Sequence, residues 1–458
     1  MRIYCVSRFT FAVCRTEKYK SRKIKRVLKT TTDKGINRKK APKIVDAVDL
    51  HLQLKAYRKF ILRNGIEVYA VDAGAEEVMM IDWVFYAGSW FEKKNIIAAT
   101  TNFLLKNGTS KKTAFEINEH FEFYGSHLNR NCYDETASLT LHCLNKHVKE
   151  LLPVVKELIT DSIFPEEELS IYKKNMQQRL AVNLKKNDFV ANRLIDAYLF
   201  GEDHPYGRYT RHEDFDALQR DQLIEFFKNY YEQGKLILFA AGRLPANIEQ
   251  LLDENFGDLP THKINFQDNP PGPVSEKKYR IVNDPSGVQG AIRIGRGFPN
   301  RHHPDFPKVQ VLNNLFGGFF GSRLMHNIRE DKGYTYGIYS YLQNHIQYSA
   351  WVVSTEAGRD VSEATVKEIY IEMNKLREDL IGEEELSLVR NYMMGTILGD
   401  LDGPFQILSR WKNLILNSLD ESYFYKSIEI IRTISAEELR SLAQKYLVPD
   451  DFYELLVV

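Results

Sequence analysis

The chain has 458 residues, of which 43% are hydrophobic and 27% charged, and its formal net charge is +1. That length is enough for two or more buried cores, and no apolar run approaches the roughly 18 residues of a membrane span. Its four cysteines (Cys5, Cys14, Cys132 and Cys143) form no C-x-x-C pair, which argues against a cysteine zinc site and against a disulfide framework.

The near-neutral total conceals an asymmetry. Residues 1–40 hold 14 Lys or Arg and 2 Asp or Glu, about +12, which leaves about −11 for the remainder. A mildly acidic body gives no reason to expect nucleic acid as a partner. Residues 1–42 read as a basic extension expected to lack order. A mitochondrial-type presequence, or a start codon assigned too far upstream, would look the same. The stretch lacks the apolar core and small-residue cleavage site of a secretory signal, so a cytoplasmic location is expected.

Folding is expected to begin near Ala41. RKFILRNGIEVYAVDA predicts two short strands around the Asn64-Gly65 turn, and EEVMMIDWVFYAGSW a third, buried one. Helical patterns follow at 94–107, 111–125 and 146–162. The strand pair NRNCYDETASLTLHCL lies between the last two, with Cys132 and Cys143 expected as buried free thiols. Residues 165–187 predict a long polar helix begun by Pro165 and three glutamates, the usual chemistry of a helix start. Residues 188–200 predict another. FGEDHPYGRY reads as a loop, 218–232 as a helix, KLILFAAG as a strand and 245–255 as a helix. THKINFQDNPPGPVSEKK is rich in Pro, Gly and polar residues, as a linker would be.

The second half repeats the first. FPEEELSIYKKN (164–175) echoes IGEEELSLVRNY (381–392) at an offset of 217, and FFKNYY (226–231) echoes LAQKYL (442–447) at the same offset. VKEL at 155–158 echoes VKEI at 366–369, offset 211. Separated segments sharing one offset indicate two homologous domains of roughly 200 residues; a solenoid would show shorter periods. Strands and helices mix without strict alternation, which favours α+β over a doubly wound sheet.

The most informative stretch is LFGGFFGSRLMHNIREDKGYTYGIYSYL (315–342). Gly317 and Gly318 suggest a turn that needs unusual backbone angles, Ser322 a helix cap, and Leu324 and Ile328 the helix's apolar side. Gly333 should end that helix, and TYGIYSYL should follow as a strand. Arg329 then sits at a helix end and Tyr336 on the next strand. A guanidinium and a phenol so placed can grip the carbonyls of an extended peptide. The plain alternative is an arginine lying along a helix end and a tyrosine packed in a sheet.

SRLMHNIREDKGYTYGIYS resembles the second-half motif of the insulinase / pitrilysin / mitochondrial-processing-peptidase family of zinc metallopeptidases, and the resemblance covers about 43–458. In that family an Arg and a Tyr seven residues later bind substrate, and the Tyr helps hold the oxygen of the tetrahedral intermediate. The matching positions here are Arg329 and Tyr336. The family's first half carries His-x-x-Glu-His just before a Gly-Thr, two imidazoles binding zinc and the glutamate acting as general base. Gly108-Thr109 is present, but the two His positions are Ala99 and Phe103 and the Glu position is Asn102. The family's third ligand is a Glu on the helix matching 165–187, yet Leu169 to Asn187 contains no Asp or Glu. A methyl and a phenyl cannot bind zinc, and a carboxamide is no useful base.

Substitute ligands are not evident. His302-His303 and His204-Pro205 lie in loops, and Glu119-His120 with His127 has the wrong spacing for a zinc helix. No nucleophile elbow, phosphate loop or dinucleotide fingerprint appears.

The expected architecture is therefore α+β. Two homologous domains, each a largely antiparallel sheet with helices packed on one face, would form a clam-like half-chamber. The expected boundaries are a 1–42 extension, a first repeat at 43–260, a 261–277 linker and a second repeat at 278–458. The resemblance implies a non-catalytic subunit that holds no cofactor of its own. It would lend Arg329 and Tyr336 to a homologous zinc-bearing subunit in a heterodimer acting on peptides. A structural or peptide-binding scaffold of the same fold is the alternative, and an independent hydrolase with relocated ligands a third reading.

Overall fold

The computed structural model describes residues 45–262, 264 and 266–458. The basic stretch 1–42, with Cys5 and Cys14, lies outside the described residues.

In the first half, β1 (Arg58–Ile61) and β2 (Glu67–Asp72) form the expected hairpin, and β3 (Val78–Phe85) follows. Gly65 takes φ +91° in the turn, a backbone region open mainly to glycine. The chain continues through α1 (Ile97–Leu104), α2 (Ala114–Phe123), β4 (His127–Cys132), β5 (Ala137–Leu144), α3 (Val148–Thr160), α4 (Glu166–Asn183) and α5 (Asn187–Phe200). It then forms α6 (His212–Ala217), α7 (Arg220–Phe227), β6 (Leu236–Gly242) and α8 (Ile248–Phe256).

Most differences from expectation are trimmed ends. The helix expected from 94 starts at Ile97, because Ile96 is left-handed (φ +67°) and the buried Glu92 carboxylate takes the Ala98 N–H at 2.8 Å. The helix expected from 111 starts at Ala114, fixed by a reciprocal Thr113–Glu116 capping box. The short α6 falls between the loop read at 200–209 and the helix read from 218, where no element was expected.

The second half contains β7 (Lys278–Ile281), β8 (Gln289–Phe298), α9 (Phe306–Asn313), β9 (Thr335–Asn344) and β10 (Ser349–Gly358). After these come α10 (Ser362–Glu378), α11 (Glu383–Gly399), α12 (Pro404–Leu416), α13 (Glu421–Thr433), α14 (Ala436–Tyr446) and β11 (Tyr453–Val457). The first sheet runs β1-β2-β6-β3-β5-β4 and the second β7-β11-β8-β10-β9. Leaving out β1, the orders are the same, with the last strand of each half inserted parallel to its first and antiparallel to its second. The α+β duplication read from the sequence is thus present in the topology. The element starts reproduce the offsets, since α4 to α11 and α5 to α12 are both 217 and β3 to β8 is 211.

Alternation along the strands gives each sheet two buried faces. Ile81, Trp83, Leu139 and Leu238 pack under the first half's own helices. The opposite face, including Val84, Ile237 and Phe239, belongs to the core around Leu408 and Trp411 of α12. The second sheet mirrors this. Ile292, Trp351 and Val353 face the second half's own helices, among them α9 and α10, while Ala291, Val352 and Leu455 meet Val190, Ile195 and Leu199 of α5. Each half therefore gives its equivalent helix to the other's sheet. Burying one such Leu, Val or Phe contributes about 1.5–3 kcal/mol, so neither sheet retains its second face without the other half.

A charge marks each exchange at equivalent positions of β3 and β8. Asp82, 3% exposed, accepts from Lys412 of α12 at 2.5 Å and from the Thr140 hydroxyl at 2.8 Å. Arg293, 1% exposed, pairs with Asp188 of α5, donates to Asn192 Oδ1 at 2.8 Å and to the Ile292 carbonyl at 2.8 Å.

Cys143 is buried opposite Met79 and Cys132 is half-buried opposite Ala137, so both are free thiols, as expected. Burial pushes the Cys143 thiol up to about 12. No helix among the described residues is long and apolar enough to cross a membrane.

Candidate functional site

The segment after α9 sets the position of Arg329. A wide-wound turn over Asn314–Gly318 packs against β9. Here the expectation for the glycines is corrected: neither Gly317 nor Gly318 has a positive φ. Gly317 is needed for close approach, because a Cβ there would lie 2.7 Å from Ser340 Cβ and 2.8 Å from Leu324 Cδ1. The Ser322 cap is also corrected. Ser322 directly precedes the helical turn at 323–324 and its carbonyl accepts the His326 N–H at 3.0 Å, but its hydroxyl is buried and has no partner, so the side chain does not cap. The helical segment Met325–Asp331 is wound wider than an α-helix and buries Met325 and Ile328. Arg323 holds its start by a two-point pair with Glu385 (2.7 and 2.9 Å), and Asn327 donates to Glu372 at 2.6 Å. Gly333, at φ +65°, ends it as expected and turns the chain into β9.

Arg329 and Tyr336 are brought together by this turn. The Arg329 Nε donates to the Tyr336 carbonyl at 3.0 Å, and its guanidinium lies 4.6 Å from the Phe320 ring centre and 5.8 Å from that of Tyr336. Stacking on aromatic faces orients the guanidinium, whose Nη1 lies 3.9 Å from the Glu330 carboxylate. The Tyr336 side chain is 94% exposed. Both residues line an open cleft of about 800 Å³ together with Phe320, Tyr339 and Glu356. β9 is the edge of its sheet, so its outer N–H and C=O groups are unpaired by any neighbouring strand.

The positions matched to the zinc motif lie on α1. Ala99 and Phe103 share its exposed side, as residues four apart on a helix must. The Phe103 ring packs 4.8 Å from Tyr172 of α4 and 4.7 Å from the Arg130 guanidinium. Asn102 points inward, 3% exposed, donating to the Tyr231 hydroxyl at 3.1 Å and the Ser138 carbonyl at 3.4 Å. An aromatic–cation stack thus fills one ligand position, and the core uses the amide as a donor.

The histidines considered as ligands have ordinary partners. His204 bonds the Asn269 carbonyl at 2.8 Å and accepts the Tyr206 N–H at 3.1 Å. His120 bonds the Glu150 carbonyl at 3.1 Å, His303 accepts the Asp305 N–H at 3.1 Å, and His127 lies opposite His142 across β4 and β5.

One cluster was not legible in the sequence. Asp134 and Glu135, in the β4–β5 turn, meet His345 from the β9–β10 turn, with donor atoms within 4.8 Å of one another. The His345 Nδ1 bonds Asp134 Oδ2 at 2.9 Å, and Glu135 accepts the Ile346 N–H at 2.7 Å and the Tyr206 hydroxyl. The His345 ring stacks 3.9 Å from Tyr206. Burial pulls the imidazole down, but the bond and charge of Asp134, with Glu135 and Asp196, hold it above its usual value. Desolvation pushes nearby Asp196 up to about 6. These atoms could be metal donors: Asp134 and Glu135 already hold hydrogen-bond partners, the buried His345 Nε2 has none, and the cluster joins the two halves as a latch. With 210 residues between Glu135 and His345, no local motif announces it.

Comparison with known proteins places the family and the fold. Residues 72–207 match the family model described as insulinase (peptidase family M16), and residues 217–393 the model described as peptidase M16 inactive domain. The chain is 23% identical over 403 residues to the "uncharacterized zinc protease YmxG" of Bacillus subtilis, covering 86% of this chain and 96% of that protein. It is 25% identical over 329 residues to the "non-peptidase homolog YmxG" of Helicobacter pylori, covering 69% of this chain and 74% of that one. The crystal structure of a peptidase M16 inactive domain from Pseudomonas fluorescens superposes with a TM-score of 0.76 at 21% identity, covering 88% of this chain and 98% of that one.

Proposed function

The chain belongs to the insulinase (M16) peptidase family, and from that premise we propose that it is the non-catalytic subunit of a heteromeric zinc peptidase acting in the cytoplasm. Its role is to supply Arg329 and Tyr336 to the active site of a homologous zinc-bearing subunit. The observation that carries this reading is the pairing of the two residues at a free sheet edge facing a peptide-sized cleft.

The chemistry follows from the donors. An extended peptide can add to β9 through main-chain hydrogen bonds. The Arg329 fork then donates to peptide carbonyls, which fixes register. The Tyr336 hydroxyl, exposed and on the same rim, donates to the oxygen that gains charge as a carbonyl becomes tetrahedral. One such donor is worth about 10²–10³ in kcat.

The residues on α1 do not fit zinc. Ala99 offers a methyl, Phe103 a ring already stacked on Tyr172, and Asn102 an amide turned into the core. No step is therefore assigned to a metal in this chain. The name of the Helicobacter pylori relative, a non-peptidase homologue, supports the same reading.

Three measurements on the isolated chain test it. Elemental analysis after dialysis is expected to find far less than one zinc per chain, and a fluorogenic peptide is expected to stay uncleaved. Binding of an unfolded peptide, followed by anisotropy, is expected to weaken about tenfold in Arg329→Ala, the loss of a charge-assisted hydrogen bond. Stoichiometric zinc with peptidase activity, or peptide binding unaffected by Arg329→Ala, would overturn the proposal.

A further inference from the structure

A second cavity, of about 330 Å³, lies between α11, α12, α13 and the C-terminal half of β9, and shares no lining residue with the Arg329 cleft. Its polar groups are unusual. Arg301 enters from the loop after β8, and its Nη1 donates to Asn413 Oδ1 at 2.5 Å. Its Nε is buried without a partner, and among the described residues no carboxylate lies within salt-bridge distance of it. The Tyr423 hydroxyl, on another wall residue of the same cavity, is also buried and unpartnered. A second guanidinium, Arg410, lines the cavity but is already paired with Asp400.

A buried N–H left without a partner on a half-buried guanidinium that has no counter-ion is costly, and a buried hydroxyl without a partner adds to that cost. Both are relieved at once by a ligand that is an anion with lone pairs in the plane of the fork. The charge count sets its valence. Arg301 and Arg410 against Asp400 leave one net positive charge on the cavity wall, which suits a monoanion better than a dianion. Part of the wall is apolar, where Met393, Ile397, Leu414 and Phe424 line the cavity, and gives room for an apolar body beside polar groups such as Asn313 and Asn344. The volume falls at the small end of ligand sites.

We propose that this cavity binds a small organic monocarboxylate with an apolar or aromatic body, its carboxylate held by Arg301 and the Tyr423 hydroxyl. The site is independent of the peptide cleft and stands whether or not the chain serves a protease.

Calorimetric titration of the full chain tests this with phenylacetate, its neutral isostere phenylacetamide and inorganic phosphate. Phenylacetate is expected to bind, and phenylacetamide at least about tenfold more weakly, the value of one charge-assisted hydrogen bond. Phosphate, which lacks the apolar body, is expected not to compete at equal concentration. Arg301→Gln is expected to lower phenylacetate affinity about tenfold or more, and Tyr423→Phe by about threefold to tenfold. Arg329→Ala is expected to leave it unchanged, which separates this site from the peptide cleft. Tyr423→Phe removes a single oxygen, so the test survives even if Arg301→Gln fails to fold. No phenylacetate binding at millimolar concentration overturns the proposal. So does equal binding of the amide, equal competition by phosphate, or binding indifferent to Tyr423→Phe and to any folded Arg301→Gln.

Discussion

Replacing Lys412 by Met tests whether the exchanged helices hold the two halves together. The ammonium of Lys412, on α12, reaches into the first half's sheet and lies 2.5 Å from Asp82 Oδ2. The Asp82 side chain is 5% exposed and that of Lys412 27%, so the pair is largely shielded from water. Methionine keeps the length and apolar stem but leaves the carboxylate with the Thr140 hydroxyl alone, at 2.8 Å. Breaking one partner of a buried pair costs about 3–5 kcal/mol. Unfolding roughly 400 residues at about 2.1 cal/mol/K each gives an entropy near 0.9 kcal/mol/K, so Tm should fall by about 3–6 °C. The double variant Asp82→Leu/Lys412→Met removes both charges and should recover most of that loss, since apolar replacement of a whole buried pair is often neutral or better. Scanning calorimetry of the four proteins of the cycle gives the answer. A Lys412→Met shift under 1 °C, or a double variant that loses the sum of the single losses, would refute the claim that this pair secures the exchange.

Three further outcomes follow from the geometry. Gly317→Ala forces a methyl within 3 Å of β9 and should destabilise by about 1–3 kcal/mol, read from urea unfolding, while weakening the Arg329-dependent peptide binding that this contact positions. His345 and Asp196 both hold a proton more tightly folded than unfolded. The stability His345 contributes is therefore full below its unfolded value and lost as pH rises through its folded one. That of Asp196 is lost as pH rises through about 6. Tm should thus fall from pH 6 to pH 8, and His345→Gln should flatten that slope; an unchanged slope would remove the latch from the account. Native Cys143, buried and with its thiol pushed up to about 12, should stay unreactive to a disulfide reagent until the chain is unfolded.

Much of the fold was readable because its signals are local. The Asn64-Gly65 hairpin, the Glu-rich starts of α4 and α11, and Gly333 each act within a few residues, and the shared offset exposed the duplication. The exchange of α5 and α12 was not readable, since a helix's apolar face does not say which sheet it covers. Its trace was nonetheless present, as a charge in the middle of each apolar strand: Asp82 in VMMIDWVF and Arg293 in AIRIG. Arg329 and Tyr336 were found through their motif, and the structure adds what the motif cannot show, the Phe320 ring that orients the guanidinium. Close approach and unusual backbone angles both select glycine, so Gly317 stands out in the sequence although only the close approach applies to it. The Arg301 cavity draws on loop residues, four helices and a strand, and no spacing rule joins them.

The central claim is complementation, and reconstitution tests it most directly. The chain would be mixed with a homologue carrying an intact His-x-x-Glu-His motif, and kcat/KM measured on a fluorogenic peptide. The expected result is activity well above that of the zinc-bearing chain alone, with Tyr336→Phe or Arg329→Ala abolishing most of the gain. Equal activity from the wild-type and variant mixtures would show that these two side chains take no part in the reaction.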